Sequence, residues 1–259
     1  MSESGFFSSV KRDFVDIRKD EWPKALGLSL LFFLVIAIFW VLKPMKRGVI
    51  LSYFGQEETL RLLGYTLSGA QAEQVGKVIT MVVAYLMVIL FTLLVRRLRR
   101  QYLVVVFCSA FAVLFLFYAA RMDSLTAPIV WSFYVSGDIW TTLMVTTFWA
   151  FANDINAPGE ARRIYGVVGL GGVVGGFVGA TAVASLVERV GRPPLLLALV
   201  ALLAGIVGLT FWIDRRTRRR SEERDQPCCP EREGRAEDAD ARPSGSAAIE
   251  GARLVFESR

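Results

Sequence analysis

Between Ala25 and Ile213 the chain is a succession of six apolar blocks. Each is close to the roughly 20 residues a helix needs to cross a hydrocarbon layer about 30 Å thick. The blocks run Ala25–Leu42, Val78–Val95, Tyr102–Ala120, Ile129–Asn153, Ile164–Val187 and Pro193–Ile213. A soluble domain spreads charge along every element. Here 54% of the residues are apolar and 21% are charged, and the charges gather between the blocks. In lipid every backbone polar group needs a partner within the protein, so blocks of this length fold as helices. The alternating ten-residue segments of a membrane barrel are absent from the sequence. The expected fold class is therefore an all-α membrane protein with six transmembrane helices over residues 25–213. The first block is too long for a cleaved signal peptide, and no small-residue cleavage pattern follows it.

Basic residues set the expected orientation. Lys11, Arg12, Arg18, Lys19 and Lys24 precede the first block, Arg96, Arg97, Arg99 and Arg100 follow the second, and Arg162 and Arg163 precede the fifth. Arg215, Arg216, Arg218, Arg219 and Arg220 follow the sixth. The opposite side has Arg121, Arg189, Arg192 and a cluster beginning with Lys43, Lys46 and Arg47. This excess predicts that both termini, including the N-terminal segment 1–24, are cytoplasmic. The net charge of +6 accordingly reads as membrane orientation and not as nucleic-acid binding.

Residues 214–248 contain no aromatic residue, Leu, Ile or Val, and their acidic and basic residues balance. A stretch that cannot bury a core reads as a disordered, charged cytoplasmic linker. Residues 249–259 restore Leu254, Val255 and Phe256 and read as the start of a further helix, truncated. Cys228 and Cys229 are adjacent in the linker and lack companion metal ligands, leaving palmitoylation and metal binding as weak readings. The chain has no His, which removes His-based metal sites and Ser-His-Asp triads. No acid, base and nucleophile converge outside the blocks, so neither an enzyme, a metal nor a cofactor is expected.

Asp138 lies inside the fourth block. An ionisable group there costs roughly 3 kcal/mol on insertion scales and usually faces a bundle interior on an ion or substrate path. The alternative is a structural ion pair with a basic residue of a neighbouring helix. Lys43, Lys46 and Arg47 stand at i, i+3 and i+4, on one helical face, beside Pro44, which would kink or break the helix. Such a face suits an anionic small molecule bearing phosphate or carboxylate, although a basic flank snorkelling to headgroups has the same look.

In the fifth block Gly171, Gly175 and Gly179 recur every four residues, as do Gly172 and Gly176. That is the small-residue pattern of close helix packing, whereas a dinucleotide fingerprint would need a preceding strand. Ahead of it, Asn153 to Arg163 holds turn formers followed by charges, with Glu160 and Arg163 three apart. These residues, with Asn153, read as a cytoplasmic hinge or gate, or as a solvated helix start.

Three further stretches resemble the nucleotide (ATP/ADP) translocases of plastids and of intracellular and free-living bacteria. They are Phe148-Trp149-Ala150-Phe151-Ala152-Asn153-Asp154, Glu160-Ala161-Arg162-Arg163-Ile164-Tyr165 and Gly169-Leu170-Gly171. Tyr134-Val135-Ser136-Gly137-Asp138-Ile139-Trp140 and Leu42-Lys43-Pro44-Met45-Lys46-Arg47 are similar to that family's fourth-helix and first-helix motifs. The resemblance implies a major-facilitator-like fold of twelve helices, of which this chain would be the N-terminal six-helix half. It also implies a second half in cis or on a partner chain, and a place in a bacterial inner (plasma) membrane. Lys46 matches the family's first-helix Lys important for transport, and Asp138 matches its fourth-helix acid. Two positions depart from the pattern. Asp138 stands where the family usually has Glu, and Arg47 where it usually has Asp.

The function expected from these readings is a carrier, half-length or a fragment, moving nucleotides or a related organic anion by alternating access, with ATP:ADP exchange the named case. The alternatives are a structural or regulatory membrane subunit without transport, and a proton-coupled efflux carrier with Asp138 as the proton site.

Overall fold

The computed structural model describes residues 21–56, 60–62, 65–67, 69–98 and 100–225. Most of the N-terminal segment, Cys228 and Cys229, and the expected linker and further helix beyond Asp225 lie outside the described residues. The described residues up to Arg218 form one compact unit.

Among the described residues there are six helices: α1 Trp22–Gln56, α2 Gly69–Arg97, α3 Arg100–Arg121, α4 Ala127–Ile155, α5 Pro158–Val190 and α6 Arg192–Asp225. A two-stranded antiparallel ribbon, β1 Leu60–Leu62 and β2 Tyr65–Leu67, joins α1 to α2, with Arg61 opposite Thr66. The sequence reading contained no strand, because this connection is too short to register as a repeating pattern. All helices but α4 contain a segment long and apolar enough to cross a membrane. The chain is a multi-pass membrane protein.

The helix ends follow local chemistry. Pro128 and Pro158 occupy the first turns of α4 and α5, where no backbone N–H is needed. Gly191 closes α5 at φ 85°, a left-handed conformation that favours glycine, and its N–H reaches the Val187 carbonyl at 3.2 Å. Pro44 does not break α1, which continues to Gln56. Leu42, Met45 and Lys46 on either side of it in the chain are buried in the bundle, and membrane bundles tolerate the lost donor when packing supports the helix. The last helix runs past the apolar block to Asp225, because the Arg- and Glu-rich stretch after Ile213 consists largely of good helix formers.

The core gathers around α1 and α4. α4 runs antiparallel to α1: Lys24 reaches the Ile155 carbonyl, Phe32 stacks on Phe148 with ring centroids 4.6 Å apart, and Lys46 meets Asp138. On its other side Trp140 is fully buried against Phe111 and Phe115 of α3, and Tyr118 stacks edgewise on Phe133. α4 is enclosed by α1, α2 and α3. That enclosure accommodates its polar side chains, whose Ser and Thr hydroxyls bond backbone carbonyls one turn back, including Thr147 to Leu143 and Ser136 to Phe133. Little of it has to meet lipid.

α1 and α5 run parallel and make the most extensive helix contact of the bundle. Gly171, Gly175 and Gly179 lie over the backbone of Ser29, Phe33 and Ala37. A methyl group at Gly175 would fall 2.9 Å from the Phe33 Cα, and one at Gly179 would fall 2.5 Å from the Ala37 carbonyl oxygen. Gly172 and Gly176 make room for the rings of Phe32 and Trp40. Ser29 donates to the Val167 carbonyl at 3.0 Å across the same seam.

Candidate functional site

Charged side chains collect at two levels of α1. Lys24 and Lys46 stand 22 residues apart, which at 1.5 Å per residue is about 33 Å, the thickness of a hydrocarbon layer.

At the first level, Arg163 of α5 donates from Nη2 and Nε to both oxygens of Glu21, at 2.5 and 3.2 Å. Lys24 donates to Glu160 at 2.9 Å and to the Ile155 carbonyl at 2.6 Å. Tyr165 donates to Asn153 Oδ1 at 2.5 Å. The spacing of Glu160 and Arg163 suggested a contact between them. Instead each reaches across to α1, because the parallel helices bring Glu21 and Lys24 alongside. Asn153 ties the end of α4 to α5. A carboxylate engaged by two guanidinium donors is geometrically fixed, unlike a loose surface pair. Glu21 is the more enclosed acid, with 9% of its side chain exposed against 22% for Glu160. A double-mutant cycle on Glu21→Gln and Arg163→Gln, read by thermal unfolding, is therefore expected to give about 1–2 kcal/mol of coupling. The same cycle on Lys24 and Glu160 is expected to give less than 1 kcal/mol.

At the second level, Lys46 forms an ion pair with Asp138 of α4 and lies 4.4 Å above the centre of the Tyr134 ring. Gly137 clears the path: a Cβ there would approach the Lys46 Cδ to 3.0 Å. Lys46 is buried, whereas Asp138 keeps 35% of its side chain open. The ammonium thus sits behind the carboxylate, with one face of the pair accessible. Arg47, next in sequence, turns to α2 and donates from Nε to Glu73 Oε2 at 3.0 Å, while Lys77 contacts Glu73 Oε1 at 3.4 Å. Lys43 is exposed and rests over the rings of Phe39 and Trp40, at 5.4 and 5.1 Å. The three cations that spacing put on one face therefore have three separate surroundings.

Glu73, Lys77 and Tyr134 received no role from the sequence. Glu73 and Lys77 precede the second apolar block at Val78 and looked like part of a polar connection. Their i, i+4 spacing was the available signal. Tyr134 could not be found by spacing, because only the packing of α4 on α1 puts its ring beneath Lys46. Among the described residues no group of His, Cys, Asp and Glu is arranged to hold a metal ion.

No curated protein and no solved structure matches the chain. Residues 124–193, which span α4, α5 and the turn between them, match the family described as TLC ATP/ADP transporter, so the segment carrying Asp138, the Asn153–Tyr165 contact and the glycine seam is similar to part of a nucleotide transporter family.

Proposed function

We propose that the chain is the N-terminal six-helix half of a major-facilitator-like carrier that moves nucleotides or a related organic anion by alternating access, with ATP:ADP exchange the leading case. In this reading α4 also spans the membrane, both termini are cytoplasmic, the membrane is a bacterial inner membrane, and the other half is supplied in cis or by a partner chain. The observation that carries the proposal is the Lys46–Asp138 pair between α1 and α4, on a chain whose 124–193 segment resembles the translocase family. A buried pair contributes little net stability compared with apolar residues of the same shape, so its presence calls for another role. The ammonium becomes a phosphate ligand when an anionic substrate competes for it, and Asp138 recovers it when the substrate leaves. That exchange of partners keeps affinity moderate, as a carrier requires. Lys43 and Arg47 would add attraction for the anion. Asn153, Glu160 and Arg163, on the opposite level, would act as the cytoplasmic gate, and the glycines of α5 as the packing seam.

The test is counter-exchange of labelled ATP in liposomes by the intact gene product, together with any partner that co-purifies. Uptake is expected to depend on internal ADP and to fall at least a hundredfold in Lys46→Gln. Absence of uptake for every nucleotide, with or without internal ADP, removes this substrate class, and uptake that follows an imposed pH gradient favours proton-coupled efflux.

A further inference from the structure

The second level of charge holds a group that the Lys46–Asp138 pair does not use. Glu73 has 10% of its side chain exposed, while Arg47 and Lys77, which share its two oxygens, are 64% and 54% exposed. One enclosed acid thus pairs with two outward cations and leaves a net positive charge. The Nη groups of Arg47 have no partner among the described residues, and Lys77 has Glu73 alone. Gly76, between Glu73 and Lys77 on α2, packs against Tyr134: a Cβ there would meet the ring at 2.8 Å. This close contact anchors the turn of α2 that carries both residues to α4.

Exposed ion pairs contribute little to a fold, and ordering two long side chains on one acid costs conformational entropy. A guanidinium fork beside an ammonium is, on the other hand, suited to an oxyanion with several charges. We propose that Arg47 and Lys77, oriented by Glu73, form a receptor for a soluble diphosphate-type anion, separate from the Lys46–Asp138 pair. The inference deepens the carrier reading by giving the substrate's phosphates an outer site, and it rests on that reading only in identifying the anion as substrate. Glu73 is a positioning residue: it acts through the two cations and repels the anion directly.

The test is calorimetric titration of inorganic pyrophosphate into the purified protein in uncharged detergent at low salt. Wild type is expected to bind. Arg47→Ala and Lys77→Ala are each expected to weaken binding about tenfold, equivalent to about 1.4 kcal/mol. Arg121→Ala, an exposed cation elsewhere, is expected to leave it unchanged. Glu73→Gln separates orientation from simple charge. It removes one negative charge, so neutralisation alone would tighten pyrophosphate binding, whereas loss of orientation weakens it at least threefold. Melting temperatures close to wild type for the two exposed-cation variants show that they are folded. Short-chain soluble phosphatidylglycerol, with a single charge, is expected to compete weakly. The proposal is overturned if wild type does not bind, if Arg47→Ala and Lys77→Ala bind as wild type does, if Glu73→Gln binds more tightly, or if the lipid outcompetes pyrophosphate. Pyrophosphate binding without nucleotide exchange would sink the carrier reading alone. Nucleotide exchange with pyrophosphate affinity unaltered by these substitutions would sink the receptor alone.

Discussion

Asp138→Asn is expected to destabilise the protein by about 2–3 kcal/mol and to abolish exchange, whereas the double variant Lys46→Met/Asp138→Leu recovers most of the stability and none of the transport. The reason lies in the unequal burial of the two partners. Removing one member of a fully buried pair costs about 3–5 kcal/mol, because the remaining charge has no solvent. Here the ammonium is 9% exposed and the carboxylate 35% exposed, so water reaches one side and the penalty is smaller. Lys46→Met leaves the more accessible charge behind and is expected to destabilise less than Asp138→Asn. Replacing both with apolar groups removes the unpaired charge altogether. Thermal unfolding in detergent, set beside exchange in liposomes, measures the two quantities separately. If the double variant transports at the wild-type rate, the pair is structural and the carrier role assigned to it fails.

The glycine seam is expected to give an effect at least as large. Gly175→Ala inserts a methyl group 2.9 Å from the Phe33 Cα, and backbone cannot rotate aside as a side chain can. Overpacking typically costs about 1–3 kcal/mol and sometimes more. Three such contacts lie along one seam, so Gly171→Ala/Gly175→Ala/Gly179→Ala together is expected to prevent recovery of folded protein. Gly166 is on the same helix with nothing within 4 Å of an added Cβ. Gly166→Ala is therefore expected to be neutral or to stabilise by up to about 1 kcal/mol through helix propensity. Opposite outcomes at these positions, read as melting temperature and yield of monodisperse protein, distinguish steric contact from a general intolerance of alanine in α5. Equal effects at Gly166 and Gly175 would refute the seam.

How much of this was legible in the sequence depends on the range of the interaction. The helices were legible because apolar blocks of spanning length have few other folds open to them in lipid. Their ends were less so: α1 continues through Pro44 and α6 through charged residues, since propensity and tertiary support both outlast the apolar run. Asp138 stood out as a charge where charge is costly and Lys46 as part of a basic face beside Pro44, and an ion pair of Asp138 with a neighbouring helix was one of the readings considered. Which helix would supply the partner was not legible, because it depends on a contact 92 residues apart in sequence. Glu160 and Arg163 illustrate the same limit from the other side. Local spacing pointed to each other, and a parallel neighbour offered both a better partner. Gly171, Gly175 and Gly179 marked a face by their period, but nothing in that period named α1 as the surface they would meet.

The pairing of α1 with α5 has a mechanical consequence. Arg163 meets Glu21 at a separation of 142 residues, and the three glycines meet Ser29, Phe33 and Ala37 at that same separation. With no slip in register from Glu21 to Ala37, the two helices have no joint within the seam at which one could slide alone, and Pro44 lies beyond it. Over that span they form a single stiff lever, with the Glu21 collar at one end and Ala37 at the other. A tilt imposed at the collar is carried as displacement about 24 Å along the axis to Ala37, from where α1 continues through Pro44 to the ammonium of Lys46.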